Sequence, residues 1–174
     1  MALNKNQHTK GNMTDRIYNL RFVQRYSLTP RITSETVAEH SFFVAAFVLE
    51  LHKTYEFDLG KAMTMAIIHD FAECEIGDIT LTAKLNHPSL VKEVEKAERK
   101  VMKSFGEPIH ELYEEYIARE SVESLVVKYA DILQVRQYLR NEAKIGQGAT
   151  VDSMAYSTED LILKYQNYLS KYIR

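Results

Sequence analysis

A chain of 174 residues, of which 45% are hydrophobic and 26% charged, is long enough to bury one core and has neither the composition of a disordered protein nor the apolar runs of a membrane protein. Its formal net charge of −2 excludes a broadly basic surface, so we expect no nucleic-acid partner and no membrane partner. The single cysteine, Cys74, excludes an internal disulfide. We expect it to be a small buried filler in a protein of a reducing compartment, the cytoplasm.

The helix signal dominates the whole chain. Only three prolines and six glycines interrupt it, and apolar residues recur at helical spacing, which predicts an all-α, single-domain helical bundle. Residues 1–12 predict a flexible N-terminal tail and residues 13–174 one compact domain. A first helix is expected from about Asp15 to Arg25 or Tyr26, followed by a connecting loop over residues 27–35.

The second and third predicted helices are the most apolar. The second begins at a capping box formed by Thr36 and Glu39, has His40 in its first turn and is apolar nearly all round beyond it. The third begins near Leu59 and runs into residues 66–78. Both are therefore expected to be central and to pack against each other.

The second half of the chain continues the helical pattern. We expect a loop over residues 79–84, a charged helix over 88–105, a short helix after Pro108, and a long helix over 122–144 that contains Asp131. A last helix over 158–173 carries a tyrosine-rich stripe, which is typical of packing or of a dimer interface. A homodimer or higher homo-oligomer is expected.

Ligand-type groups follow an apolar run in residues 66–78. If this stretch is helical, His69 and Asp70 are about 100° apart around the axis, with Glu73 one turn later. The adjacent imidazole and carboxylate can bind one metal ion, and Glu73 can reach a water molecule bound to that ion. Two further ligands must come from elsewhere in the chain.

His40 and Asp131 are the best candidates for those ligands. Each stands in apolar helical surroundings, where a polar or charged group needs a partner. Two histidines and two carboxylates suit a divalent ion such as Mn²⁺, Fe²⁺, Co²⁺, Ni²⁺ or Zn²⁺. Considered singly, His40 is equally typical of a helix cap and Asp131 of a solvent-facing acid.

The order His40, His69-Asp70, Asp131 resembles the H…HD…D signature of the HD-domain metal-dependent phosphohydrolases. Within that superfamily, residues 38–41, 69–79 and 128–131 resemble the YfbR-like 5′-deoxynucleotidases. The resemblance implies a compact all-α bundle that releases phosphate from 2′-deoxynucleoside 5′-monophosphates. It also implies that the metal ligands are His40, His69, Asp70 and Asp131.

The same resemblance implies roles for five further residues. Glu73 corresponds to the group that positions or activates the attacking water, and Asp78 to one that contacts the sugar or assists catalysis. Arg25 matches an arginine that binds the substrate phosphate, and Lys84 a lysine that follows the Gly-Asp loop. Tyr26 stands where the family commonly has a tryptophan on or near the base. The chain contains no tryptophan, and the smaller ring of Tyr26 gives a differently shaped pocket.

Three alternative functions share these motifs. One is hydrolysis of deoxynucleoside triphosphates to deoxynucleoside and triphosphate, as in phage relatives, and the metal motif does not distinguish it. Another is a catalytically silent module that binds nucleotide or metal, which the retained Glu73 disfavours. The last is hydrolysis of cyclic or hyperphosphorylated nucleotides, which the Gly77-Asp78 extension disfavours.

Overall fold

The computed structural model describes residues 12–174, without the side chains of residues 149–157. Its α-helices, in chain order, are α1 (Met13–Ile17), α2 (Val37–Leu51), α3 (Leu59–Ile68), α4 (Glu73–Ile76), α5 (Leu81–Asn86), α6 (Pro88–Lys103), α7 (Ile109–Ala118), α8 (Val122–Lys144) and α9 (Gly148–Leu169). Within these residues β-structure is limited to two isolated bridges, Gln24 with Thr36 and Tyr55 with Ile173. The all-α prediction is confirmed.

Helix α8 is the centre of the bundle because α2, α3, α7 and α9 all pack on it. Val126 and Val127 of α8 are completely buried, as are Val44 of α2 and Met65 of α3. Adjacent residues such as Val126 and Val127 are both buried only where partners surround a helix on more than one side. The interior they form is the main hydrophobic core.

A second core lies between the start of the chain and helices α6 and α7. Leu20, Phe71, Met102 and Tyr113 are buried in it. Helix α6 contributes only one face, since its remaining side chains are charged and exposed. This core supports residues 69–76, which connect α3 to α4.

Several sequence predictions are confirmed at the level of single residues. The capping box at the start of α2 has both of its hydrogen bonds, α3 begins at Leu59 and α8 has the predicted bounds. Cys74 is free and buried. The predicted tail lies outside the described residues except for Asn12, whose side chain accepts a hydrogen bond from the Asp15 amide and caps α1.

The first predicted helix is wrong in length. Helix α1 ends at Ile17, and a 3₁₀ turn follows over Tyr18–Arg21. The next residues pair with the start of α2, since the Arg25 amide donates to the Glu35 carbonyl and the Val37 amide donates to the Val23 carbonyl. These main-chain bonds compete with helix continuation, and Arg25 therefore lies beyond the helix.

The stretch after α3 is not one continuous helix, contrary to the prediction. Helix α3 ends at Ile68, and residues 69–72 form turns in which the Phe71 amide donates to the Ile68 carbonyl. The predicted loop over residues 79–84 is also wrong, because Lys84 lies in α5. The side chain of Thr80 caps that helix. A threonine at this position is a sequence signal for a helix start, and the loop prediction did not take it into account.

Two faces differ from their predicted environments. Helix α2 is central, but Phe42 and Phe43 are exposed, so it is not buried all round. Helix α9 begins at Gly148, ten positions before the prediction. Its tyrosine-rich stripe is mainly internal, since Tyr165 and Leu169 are buried in the main core.

No helix among residues 12–174 combines the length and the hydropathy that a membrane crossing requires.

Candidate metal centre and active site

Three helices deliver the predicted metal ligands to one point. His40 lies in the first turn of α2, where the capping box fixes the helix start. His69 is the C-cap residue that follows the end of α3, and Asp70 comes next in the turn. Asp131 lies midway along α8, which packs against both α2 and α3. The packing of the bundle therefore buries His40, His69 and Asp131, while the Asp70 side chain stays 26% exposed.

The donor atoms have the spacing of a coordination shell. The Nε2 atoms of His40 and His69 are 3.2 Å apart. Asp70 Oδ2 is 3.1 Å from His69 Nε2 and 3.5 Å from His40 Nε2. Asp131 Oδ1 is 3.3 Å from His40 Nε2. Ligand atoms about 2.1 Å from one divalent ion lie about 3.0–3.4 Å from their neighbours, in octahedral or tetrahedral geometry. His40, His69 and Asp131 thus form a three-residue set able to hold a divalent ion, since their ligand atoms all lie within 4.8 Å of one another, and Asp70 adjoins both histidines.

Both histidines direct Nε2 to this point. Burial lowers the pKa of His69, but the charge of Asp70 raises that pKa above its ordinary value. His69 Nδ1 must donate to the Ala66 carbonyl, 2.8 Å away, because a carbonyl can only accept. His40 Nδ1 lies 2.7 Å from Gln134 Oε1 and donates to it. Burial, and then the charge of Arg25, lower the pKa of His40. The neutral imidazole with a free Nε2 is the form that binds metals.

Asp131 is held ionised by a lysine on its own helix. Burial alone would raise its pKa, but Lys128 holds that pKa well below the usual range. Lys128 Nζ lies 2.6 Å from Asp131 Oδ2, while the other carboxylate oxygen, Oδ1, faces His40. Asp131 can therefore offer one oxygen to a metal ion while Lys128 fixes the other.

Glu73, the first residue of α4, has a carboxyl group with an unpaired oxygen. Its Oε2 atom is buried and lacks a hydrogen-bond partner among the residues that the structure describes. Burial, and then the charges of Asp70 and Asp78, raise the pKa of Glu73 to about 10. A divalent cation at the cluster counters the charge of Asp70 and favours the carboxylate. Glu73 is thus able to hold or release a proton beside the metal ligands.

Arg25 brings a buried positive charge to the same region. Its Nη1 atom is buried without a hydrogen-bond partner in the described part of the chain, and its Nε atom lies 3.7 Å from Glu35 Oε2. Burial lowers its pKa, but nearby groups that include Asp131 and Asp70 raise it further. Arg25 therefore stays charged, with one donor available to an anion.

Tyr26 has a backbone and ring geometry that its sequence position did not predict. Its φ of 55° is in the left-handed region, which is strained for a tyrosine. Its ring stacks on Tyr138 at a centroid distance of 4.5 Å and an interplanar angle of 5°, and the Arg25 guanidinium lies 5.3 Å from its centroid. Its hydroxyl oxygen is buried and unpartnered within residues 12–174. One face of the Tyr26 ring is thus occupied by Tyr138.

Asp78 connects the turn after α4 to this arginine-tyrosine pair. Gly77 ends α4 with a φ of 74°, which only glycine adopts at no cost, and this turns the chain toward Asp78. The Asp78 carboxylate accepts a hydrogen bond from the Tyr26 backbone. Burial, the largest effect, raises its pKa. Asp78 therefore has a structural contact within the site.

Lys84 lies at the edge of the site, on α5. Its charge acts on both Glu73 and Asp78, lowering their pKa values against the stronger effect of burial. It also lines a cavity of about 180 Å³ together with Val91, Val94 and other residues of α6 and α7. Lys84 therefore lies between the carboxyl groups of Glu73 and Asp78 and an open cavity.

Three residues of the site escaped the sequence analysis: Lys128, Gln134 and Glu35. A signal existed for the first two, since Lys128, Asp131 and Gln134 are spaced by three residues on a helix and so share one face. No sequence signal marked Glu35, because only the folded chain places it against Gln134.

Comparison with known families agrees with this geometry. The family model described as "HD domain" matches residues 17–161. A 5′-deoxynucleotidase of Vibrio vulnificus is 27% identical over 157 residues, which cover 83% of this chain and 80% of the relative.

Solved structures give the same fold. A protein of Pyrococcus horikoshii superposes with a TM-score of 0.76 and 28% identity, covering 91% of this chain and 95% of its own. The HD phosphohydrolase of cyanophage S-2L, solved with dA and one catalytic Zn²⁺ ion, has a TM-score of 0.60. That alignment covers 91% of this chain and 96% of the phage chain at 16% identity, so it shows the fold alone.

Proposed function

Because the chain belongs to the HD-domain family, we propose that it hydrolyses 2′-deoxynucleoside 5′-monophosphates to deoxynucleoside and phosphate. It is a metal-dependent phosphohydrolase. The observation that carries the proposal is the meeting of four ligands, His40, His69, Asp70 and Asp131, beside an unpaired guanidinium nitrogen and an unpaired carboxyl oxygen. A ligand set, an anion-binding group and a proton-handling group are what phosphoester hydrolysis requires.

The proposed metal is a divalent transition ion bound by those four ligands. When bound, such an ion lowers the pKa of a water molecule and polarises a phosphate oxygen. The two-histidine, two-carboxylate set suits Mn²⁺, Co²⁺, Fe²⁺, Ni²⁺ or Zn²⁺. The Zn²⁺ ion in the cyanophage neighbour supports this class of metal.

Arg25 binds the phosphate in this proposal. Its free Nη1 donates to a phosphate oxygen while Glu35 contacts the opposite edge of the guanidinium. A charge-assisted hydrogen bond of this kind contributes about 1.5–3 kcal/mol. Lys84 adds a second cation at the edge of the site.

Glu73 handles the proton. Its unpaired Oε2 accepts a proton from the attacking water, and the same carboxyl then supplies a proton to the leaving sugar oxygen. The Asp78 carboxylate accepts a hydrogen bond from the Tyr26 backbone, and in this proposal it orients the sugar of the substrate. Tyr26 contacts the nucleoside through its hydroxyl, because Tyr138 covers one face of its ring.

The monophosphate substrate is supported by the relatives. The Vibrio vulnificus relative is named a 5′-deoxynucleotidase, and this chain spans most of its length. The dA in the cyanophage structure supports a deoxynucleoside product.

The test is a substrate panel with the purified full chain. Deoxynucleoside monophosphates, deoxynucleoside triphosphates and ribonucleotides are incubated with Mn²⁺, Co²⁺ or Zn²⁺, and the products are separated by chromatography. We expect inorganic phosphate and deoxynucleoside from the monophosphates, and none with EDTA. Triphosphate released from a deoxynucleoside triphosphate would replace the proposed reaction with the triphosphohydrolase reaction, and no product from any substrate would refute both.

A further inference from the structure

A buried row of polar groups runs from the phosphate-binding region to a metal ligand. Its members, in order, are Arg25, Glu35, Gln134 and His40. Glu35, Gln134 and His40 are all at least nine-tenths buried. Glu35 precedes the capping box of α2, and Gln134 lies one turn beyond Asp131 on α8. The row therefore joins two helices that each hold a metal ligand.

The direction of each hydrogen bond follows from what the groups can donate. The Glu35 carboxylate can only accept, so the Gln134 Nε2 amide donates to Glu35 Oε1. The Gln134 Oε1 atom is then the acceptor, and His40 Nδ1 donates to it over 2.7 Å. His40 Nε2 is left unprotonated and faces the other ligands. One tautomer of His40 is selected by a residue that is not a ligand.

We propose that Gln134 and Glu35 are positioning residues that tune His40 as a metal ligand, with Glu35 acting on His40 through Gln134 and on Arg25 directly. The inference rests on the proposed function. A metal-binding histidine whose second nitrogen donates toward a carboxylate is better oriented and more basic, and loss of such a partner costs about 10–100-fold in metal affinity. Here the Gln134 amide connects the Glu35 carboxylate to His40 through two hydrogen bonds.

A structural role does not account for this arrangement. A buried carboxylate is costly, and stability alone is served equally well by apolar residues of similar volume. Glu35 Oε2 has no hydrogen-bond partner in residues 12–174 and faces Arg25 Nε at 3.7 Å. A carboxylate with a purely structural role would accept hydrogen bonds at both oxygens, as the carboxylate of Glu142 on α8 does.

The two contacts of Glu35 have different consequences. Through Gln134, the Glu35 carboxylate increases the electron density on the His40 imidazole, which favours the binding of a metal cation. Toward Arg25, it neutralises part of the charge that a phosphate uses. Replacing Glu35 with glutamine preserves the side-chain shape and the acceptor for Gln134, but it replaces the charged oxygen that faces Arg25 with a neutral amide. We expect metal binding to weaken and phosphate binding to strengthen.

The experiment measures Mn²⁺ affinity of the metal-free full chain by calorimetry, in Gln134→Met, Glu35→Gln and the double variant. Gln134→Met removes both hydrogen bonds, and we expect its affinity to fall about 10–100-fold. We expect the Mn²⁺ affinity of Glu35→Gln to fall several-fold. The affinity of the double variant should fall no further than that of Gln134→Met, because Glu35 acts through Gln134. At saturating Mn²⁺, Glu35→Gln binds inorganic phosphate several-fold more tightly, and Gln134→Met leaves phosphate affinity unchanged.

Two further variants separate positioning from folding. Glu142→Gln disturbs a buried carboxylate on the same helix that has no contact with His40, so it lowers stability without changing Mn²⁺ affinity. Gln134→Glu retains an acceptor for His40 Nδ1 but loses the donor to Glu35, so the two carboxyl groups must share a proton, and we expect Mn²⁺ affinity to stay above that of Gln134→Met. Urea unfolding of each variant supplies the stability scale.

The outcomes are distinct from those of the proposed function. Mn²⁺ binding in Gln134→Met equal to that of the parent overturns the inference, and so does full additivity in the double variant. In both cases the parent protein still binds Mn²⁺ and hydrolyses its substrate. If the parent protein binds no Mn²⁺ and has no activity, the proposed function fails as well.

Discussion

Two glutamates, the buried Glu142 and the half-buried Glu73, show how differently this protein treats the same charge. Glu142 holds the loop over residues 27–35, where its carboxylate accepts from the Ile32 and Thr33 amides and from the Thr33 hydroxyl. Those bonds outweigh burial and lower its pKa. Glu73 lies beside the metal ligands with an unpaired oxygen, and its pKa is raised to about 10.

The contrast extends to the regions around them. In the loop region, Tyr138 also donates to the Thr33 carbonyl, so the polar groups there satisfy one another. Beside the metal ligands, Arg25, Tyr26 and Glu73 each keep a buried polar atom without a hydrogen-bond partner inside the described residues. Buried polar groups that are satisfied stabilise the fold, whereas a cluster of unsatisfied ones is typical of a functional site.

Loss of a metal ligand is the strongest test of this contrast. In Asp131→Asn, the amide keeps the side-chain shape but loses the charge that faces His40 and Lys128. We expect turnover to fall at least about 10³-fold, with a large loss of Mn²⁺ affinity, because an amide is a weak ligand for a transition ion. Calorimetry and a phosphate-release assay measure both. Unchanged Mn²⁺ affinity would remove Asp131 from the ligand set.

Glu73→Gln separates chemistry from metal binding. We expect turnover to fall about 10²–10⁴-fold, the usual contribution of a general acid-base group, while Mn²⁺ affinity stays near that of the parent. Because its pKa is raised from 4.5 to about 10, Glu73 stays protonated in the metal-free fold, and the stability of that fold falls as pH rises from 4.5 to about 10. The metal-free variant should therefore be more stable than the parent at pH 8 in urea unfolding. Retained turnover would assign the proton transfer elsewhere.

Arg25→Lys tests whether the unpaired guanidinium nitrogen awaits phosphate. Lysine keeps the charge but not the forked donor geometry. We expect KM for a deoxynucleoside monophosphate to rise about 10–100-fold, with a smaller change in kcat, as expected for loss of a charged hydrogen bond. Steady-state kinetics at saturating Mn²⁺ measure this. A change in kcat alone would place Arg25 at the transition state instead.

Glu142→Gln should have the opposite character to Glu73→Gln. We expect a loss of about 1–3 kcal/mol in the free energy of unfolding at neutral pH, because one buried acceptor is replaced by a donor that faces donors. Since the pKa of Glu142 is lowered, its contribution is complete above the ordinary pKa and is lost as pH falls through the lowered value. The difference between parent and variant should shrink in acid, and kcat should be unchanged. A large fall in kcat would show that the loop region serves catalysis.

Tyr26→Phe is expected to have the smallest effect. The stack on Tyr138 is retained, and the variant removes a buried hydroxyl that the described chain does not satisfy. Unfolding free energy should stay within about 0.5 kcal/mol of the parent or rise. KM should rise a few-fold if the hydroxyl contacts the nucleoside. Identical kinetics for all deoxynucleotides would remove Tyr26 from substrate recognition.

The sequence predicted the helices that carry the site better than the segments between them. Helix α8 was correct at both ends because its cap, its apolar spacing and the following glycines are local signals. Arg25 was placed at the end of a helix, yet it lies in a bridge with the start of α2. That pairing joins residues ten positions apart, and no short-range pattern in either segment specifies it.

The candidate metal ligands were identifiable because each is a polar residue in apolar surroundings, and because their order resembles a known signature. The partners of those ligands were not. Lys128 had a helical-spacing signal that the sequence analysis did not use. Glu35 had none, since its contact with Gln134 spans 99 positions. Likewise, the ring of Tyr26 was expected at the base, but Tyr138, distant in sequence, occupies one of its faces.

The sequence by itself therefore determined the all-α class, the starts of α2 and α3, both bounds of α8 and the chemical types in the site, because periodicity, capping and ligand chemistry are properties of neighbouring residues. Only the tertiary structure decided which nitrogen of His40 carries its proton, which oxygen of Asp131 is available and which buried atoms remain unpaired. Those properties depend on distances between residues far apart in the chain, and packing of α2, α3 and α8 sets those distances.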